Sequence, residues 1–160
     1  MKKVAILYSE YTPTIDTIKY QLKNDEVVCF QHPENATGDF DLVILVNYNS
    51  EYSGKALRCH HSLLPAFETE EPIKDAILFG AKVTGITIQE TDSKKIIAQY
   101  PIFIRDDAHY DELEQELNYL EQTIYPIVIE KVLNNEYFNI QNLIKGDCKG
   151  NCGGCTGCSH

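Results

Sequence analysis

Asp41-Leu42-Val43-Ile44-Leu45-Val46 decides the fold class: after one acid it is apolar at every position, with no polar alternation. A run of this length and kind reads as a strand buried on both faces, as strands inside parallel sheets are. Toward the N-terminus, Val27-Val28-Cys29-Phe30 and Val4 to Tyr8 are two further short apolar runs. Between them Thr12-Pro13-Thr14 has the composition of a helix start, and Ile15, Ile18 and Leu22 recur at helical spacing. Toward the C-terminus, Ile73 to Phe79 is spaced as a helix, and Gly80 is placed to end it in a left-handed conformation. Val83 to Ile88 and Lys95 to Gln99 read as strands. His109 to Leu133 sets Leu113, Leu117, Leu120, Ile124 and Val128 on one helical stripe, which Pro126 is expected to bend or interrupt. Strands alternating with helices give an α/β fold, an open and mostly parallel sheet with flanking helices.

Composition narrows the function. The chain has 160 residues, 43% of them hydrophobic, enough for one compact core. Its formal net charge of -10 opposes phosphate backbones and anionic lipid, so neither nucleic acid nor membrane is an expected partner. The opening Met1-Lys2-Lys3 and its apolar run are cut short by Ser9, Glu10 and Thr12, too early for a secretory signal. The expected location is cytoplasmic, where thiols stay reduced. Beyond Leu133 the chain turns polar, and from Gly146 it is almost entirely Gly, Cys and small polar residues. The expected division is a domain over 1–145 and a Cys-rich tail over 146–160 that cannot form a core of its own.

Three segments carry a resemblance. They are Arg58-Cys59-His60-His61-Ser62-Leu63-Leu64-Pro65-Ala66-Phe67, then Lys82-Val83-Thr84-Gly85, then Glu121-Gln122-Thr123-Ile124-Tyr125-Pro126-Ile127-Val128-Ile129. Together, from about Asp41 to Leu133, they resemble the glycinamide ribonucleotide formyltransferases in order and near-spacing. The resemblance implies the formyltransferase sheet, and one-carbon transfer from 10-formyltetrahydrofolate to a small-molecule amine. In that family an Asn and a His two residues apart, with an Asp on a later loop, stabilise the tetrahedral intermediate and manage its proton. The matching positions here are Arg58 in place of the Asn, His60, and Asp92. Without the family, a donor such as Arg58 can still hold a developing oxyanion, although its guanidinium is longer and permanently charged. A plainer reading stays open beside it: His60 hydrogen-bonds within the sheet edge, and Asp92 caps a turn with Ser93.

Two departures bear on the substrate. The family's Gly-rich turn after the first strand, which cradles a phosphate, is replaced by Tyr8-Ser9-Glu10-Tyr11, and the catalytic Asn is gone. Efficient action on glycinamide ribonucleotide is therefore not expected, and the acceptor stays open. Glu68, Glu70 and Glu71 read as a solvated loop.

The tail reads Cys148-x3-Cys152-x2-Cys155-x2-Cys158, four thiols in metal-ligand spacing among glycines that permit a tight path. An iron-sulfur cluster and a four-thiolate zinc site both fit. The alternative function that follows is an inactive formyltransferase-like scaffold whose cluster senses redox or metal state, with a redox partner protein. Cys59, His60 and His61 form a second run of ligand types. Adjacent residues of a strand face opposite ways, so all three are not expected to hold one ion.

Overall fold

In a computed structural model the described residues are 1–32, 36, 38–48 and 52–136. The tail cysteines Cys148, Cys152, Cys155 and Cys158, and with them the domain boundary at 145, lie outside the described residues. The elements run β1 (Lys3–Tyr8), α1 (Pro13–Gln21), β2 (Glu26–Phe30), β3 (Leu42–Val46), β4 (Leu57–His60), α2 (Pro72–Phe79), β5 (Val83–Glu90), β6 (Ile96–Phe103) and α3 (Tyr110–Leu133). They build one six-stranded sheet in the order β2-β1-β3-β4-β5-β6. The first four strands are mutually parallel, while β5 runs antiparallel to both β4 and β6. The sheet is thus mixed and mostly parallel, with flanking helices, as the sequence implied.

Alternation along the strands sorts the core into two layers. Val4, Ile6, Leu42, Ile44, Val46, Leu57 and Ile88 pack with Ile15 and Ile18 of α1 and with Tyr125, Val128 and Ile129 of α3. Ile86 continues that layer toward Ile73 of α2 and Leu113 and Leu117 of α3. The opposite positions, Leu7 and Leu45, cluster with Ala56 beneath Phe30, Tyr48 and Tyr52. This two-sided burial is why β3 carries no polar residue.

Helix α3 continues through Pro126, so the expected interruption does not occur. Proline there removes one backbone hydrogen bond, but the turns on both sides are anchored to the same sheet by Leu113 and Leu117 before it and Val128, Ile129 and Leu133 after it. Gly80 ends α2 with φ 78° and ψ 29°, the left-handed conformation its position predicted. Between β2 and β3 the described residues form no helix. Strand β4, implied where Cys59 to His61 were read as strand residues, has no apolar run to bound it, because Arg58 and His60 interrupt one.

Candidate functional site

Strand β4 is the centre of the site. Its backbone pairs Leu57 and Arg58 with Ile44 and Leu45 of β3 on one side, and Arg58, Cys59 and His60 with Gln89, Ile88 and Thr87 of β5 on the other. The carboxyl ends of β3 and β4 open on a cleft of about 1110 Å³. Open α/β sheets bind their ligands at such strand ends. Asn47 and Tyr48 follow β3 into the cleft, Thr12 and Pro13 bring the start of α1, and Glu114 and Glu121 come from α3.

The period of two splits β4 into two chemistries. Leu57 and Cys59 face the core shared with α3, and His61 continues that parity; Arg58 and His60 alternate with them. On the Arg58 and His60 face, the His60 ring bonds the Phe67 carbonyl at 3.1 Å. A carbonyl only accepts, so Nε2 carries the hydrogen and a neutral ring keeps Nδ1 as an acceptor. Burial holds His60 below its ordinary value of 6.5; the Phe67 carbonyl opposes this, while the His61 and Arg58 charges add to it. A half-buried, neutral imidazole is suited to taking a proton near neutral pH.

The loop that presents Phe67 is held by buried polar groups. The Thr87 hydroxyl donates to the Ser62 carbonyl at 2.7 Å and accepts from the Leu64 amide at 2.9 Å and from Gln99 Nε2 at 3.0 Å. Gln99 also donates to the Leu64 carbonyl at 2.8 Å, and Ser62 Oγ, fully buried, donates to the Ala66 carbonyl at 2.7 Å. Leu64-Pro65 is a cis peptide. One hydroxyl with its donor and both acceptor sites used leaves little freedom in this loop.

Asp92 is placed differently. It is exposed in the turn between β5 and β6, where its carboxylate accepts from the Ser93 amide at 2.7 Å, and it does not line the cleft. The structure therefore brings Arg58 and His60 together at the cleft and leaves Asp92 in its turn.

On the other face of β4, His61 Nε2 donates to Glu121 Oε2 at 2.5 Å. Glu121 is set by Tyr125, one helical turn on, whose buried hydroxyl donates to the Leu57 carbonyl at 2.8 Å and lies 3.2 Å from the Leu45 carbonyl. Burial, with the Glu121 charge beside it, pushes the Cys59 thiol well up. In the sequence Glu121 stands only within the third family-like segment, with nothing to join it to Cys59 and His61. The spacing of two between Cys59 and His61, across the end of β4, is the one local sign that they group without His60.

The turn after β1 is closed to a phosphate. The Ser9 amide donates to the Asn47 carbonyl at 3.1 Å, Asn47 Nδ2 reaches the Glu10 carbonyl at 3.4 Å, and the Tyr11 hydroxyl bonds Asp16. Glu68, Glu70 and Glu71, although solvent-exposed, line the cleft together with Glu114 and Glu121, against Arg58 as the sole Lys or Arg among the described lining residues. Such a field disfavours a dianion.

Residues 23–129 match the family described as Formyl transferase. The chain belongs to the formyl transferase family. Among similar proteins, the phosphoribosylglycinamide formyltransferase of Bacillus subtilis is 38% identical over 86 residues, 51% of this chain and 44% of that protein. The methionyl-tRNA formyltransferase of Halalkalibacterium halodurans is 36% identical over 95 residues, 53% of this chain and 30% of that protein. The matched stretch thus spans less than half the length of these relatives. The crystal structure of phosphoribosylglycinamide formyltransferase from Bacillus halodurans superposes with a TM-score of 0.69 over 86% of this chain and all of that one, at 23% identity. That likeness establishes the formyl transferase fold. No helix among the described residues is long and apolar enough to cross a membrane.

Proposed function

We propose that the cleft transfers a formyl group to a small-molecule amine, with 10-formyltetrahydrofolate as donor and with His60 and Arg58 as the working residues. The observation that carries this reading is the position of His60: inside a family-matching segment, at the end of β4, lining the cleft and held neutral by burial. A folate-sized donor suits the cleft on two counts. Its volume reaches the upper range of small-molecule sites, and the Thr12 hydroxyl at its wall is buried with no partner among the described residues, an orphan that a polar ligand satisfies. Bound there, the donor supplies an electrophilic formyl carbon.

His60 Nδ1 takes the proton that the amine sheds on attack and returns it to the donor nitrogen as that nitrogen's bond to the formyl carbon breaks, so that tetrahydrofolate leaves as the new amide forms. Arg58, two residues earlier on the same face, offers donors to negative charge building on the formyl oxygen; such a donor is worth roughly a hundred- to a thousand-fold in rate. Its length and charge also occupy space that a shorter neutral donor would leave free. Asp92 enters as a catalytic partner only through the family resemblance, and in that role it would act from the β5–β6 turn.

The acceptor is an amine other than glycinamide ribonucleotide. The occupied amide of Ser9 and the carboxylate-rich cleft support this reading, because neither suits a phosphate. Binding of a folate analogue to wild type, His60→Ala and Arg58→Asn is the test. Wild type and Arg58→Asn should bind; absence of binding in all three would reject formyl transfer and favour a scaffold role. Ordinary turnover with glycinamide ribonucleotide would reject the acceptor class alone.

A further inference from the structure

The formyl-transfer reading uses the Arg58 and His60 face of β4 and leaves Cys59, His61 and Glu121 without a task. Their ligand atoms, Cys59 Sγ, a ring nitrogen of His61 and a Glu121 carboxylate oxygen, all lie within 4.8 Å of one another. All three residues line the cleft. We propose that Cys59, His61 and Glu121 form a three-ligand site for a zinc-class divalent transition cation, with its fourth coordination position open to the cleft.

The donor set selects the cation. One thiolate, one imidazole and one carboxylate balance a dication's charge, and the sulfur and nitrogen exclude calcium and magnesium, which take oxygen ligands. Tetrahedral zinc has ligand bonds of roughly 2.0–2.3 Å, which puts neighbouring ligand atoms about 3.5 Å apart. The His61 to Glu121 contact of 2.5 Å opens toward that spacing and the widest separation closes toward it, both by side-chain rotation.

The frame is rigid on both sides. Strand β4 is paired with β3 at Leu57 and Arg58 and with β5 through His60, which fixes Cys59 opposite Ile88, and His61, one residue past the strand, is held by its bond to Glu121. The Tyr125 hydroxyl pins α3 to the Leu57 carbonyl one helical turn from Glu121. Cys59 is a free thiol, part-buried at the junction of the two helix-side core clusters. A bare ion pair between His61 and Glu121 has no use for a thiol beside it, whereas a metal does. Three protein ligands with access to a cleft is the pattern of exchangeable or catalytic zinc, in contrast to closed four-ligand structural sites.

The tail thiols would compete for the same ions, so the test uses the full chain carrying Cys148→Ser, Cys152→Ser, Cys155→Ser and Cys158→Ser. After reduction and chelation, it is titrated with Co(II) and then Zn(II). The expected result is about one Co(II) per chain with a near-ultraviolet thiolate charge-transfer band, which Zn(II) removes. Adding Cys59→Ser should abolish the band, and adding Glu121→Gln or His61→Ala should weaken Zn(II) binding by more than about tenfold. Adding Cys29→Ser should leave both unchanged. Circular dichroism shows that each variant is folded; if Cys59→Ser is not, Zn(II) protection of Cys59 from alkylation in the tail-substituted chain replaces it. Failure to bind either ion, a band that survives Cys59→Ser, or no protection would overturn the site.

Discussion

The loop from Ser62 to Phe67 and the turn from Thr91 to Lys95 both adjoin strands of the same sheet, yet buried external bonds reach into the first and stop at the base of the second. Besides its own Ser62 to Ala66 bond, the loop is clamped from outside: Thr87 and Gln99, on β5 and β6, bond Ser62 and Leu64, and the Ser62 and Thr87 hydroxyls are buried. The base of the turn is tied to the body, since Thr91 bonds the backbone of Gly54 and Ala56. Its tip from Asp92 to Lys95 is exposed and held locally, through Asp92 to the Ser93 amide and Ser93 to Glu90, with an exposed Lys94 to Glu68 pair beside it. A side chain anchored by the first kind of connection keeps one geometry, and His60 does so through the Phe67 carbonyl. A side chain on the second kind is set only by its own turn, and Asp92, bonded to the Ser93 amide, is such a side chain. Family resemblance treats the two residues alike; the packing does not.

The largest expected effect separates them directly. With the physiological amine in hand, His60→Ala should cut kcat/KM by about a hundred- to ten-thousand-fold while the thermal midpoint stays near that of wild type. Asp92→Asn should cost at least about tenfold less. Equal losses would show that the turn closes over the cleft and would erase the contrast. His60 also carries a pH signature. Its folded value lies below the ordinary 6.5, so the unfolded chain binds the proton more readily. Its stabilisation is complete above about 6.5 and is lost as pH falls through the lower folded value. His60→Gln should therefore flatten the acid side of the stability profile in urea titrations; an unchanged slope would mean His60 is not held neutral.

Next in size is Gly85→Ala. A Cβ there would sit 2.0 Å from the Tyr100 carbonyl and 2.9 Å from Leu63 Cδ2, so the β5–β6 pair and the clamped loop would both have to move. Overpacking of this kind costs about 1–3 kcal/mol or more, readable as a lower denaturation midpoint. Thr87→Val should cost about 1–3 kcal/mol, because the Leu64 amide and the Ser62 carbonyl lose their buried partner. It should also weaken any ligand that depends on His60, so a stability loss without a binding loss would mean the clamp does not set the site. The smallest effect is the stability change of Asp92→Asn, within about 0.5 kcal/mol, since an exposed cap on a local turn is readily replaced. A larger loss would show that Asp92, and not Thr91 alone, fastens the turn to the body of the protein.

Several of these elements could be read from the chain alone. The unbroken apolar run at Leu42 to Val46 fixed a strand buried on both faces, the spacing of Ile15 and Ile18 fixed α1, and Gly80 fixed the end of α2. Those features are local: a period of two or 3.6, or one residue's tolerance of positive φ, is set by the backbone and needs no distant partner. Leu57 to His60 showed only in the strand alternation assumed for Cys59 to His61 and not as a bounded run, because Arg58 and His60 serve a cleft. Of the bend or interruption expected at Pro126, the interruption does not occur, because helix breaking by proline is a local rule and here the flanking turns are fastened to the sheet.

By itself, then, the sequence determined the α/β class, the formyl transferase membership and the presence of His60 and Arg58 in one motif. Only the tertiary structure decided which residues act together. It separated Asp92 from His60, gave His60 its Phe67 partner, and set Glu121, sixty-two residues after Cys59 in the chain, against Cys59 and His61. The physical reason is that side-chain convergence depends on strand register and on how a helix lies across a sheet. Both are fixed by burial of long-range apolar contacts and by single buried bonds such as Tyr125 to Leu57, which leave no periodic mark in the sequence.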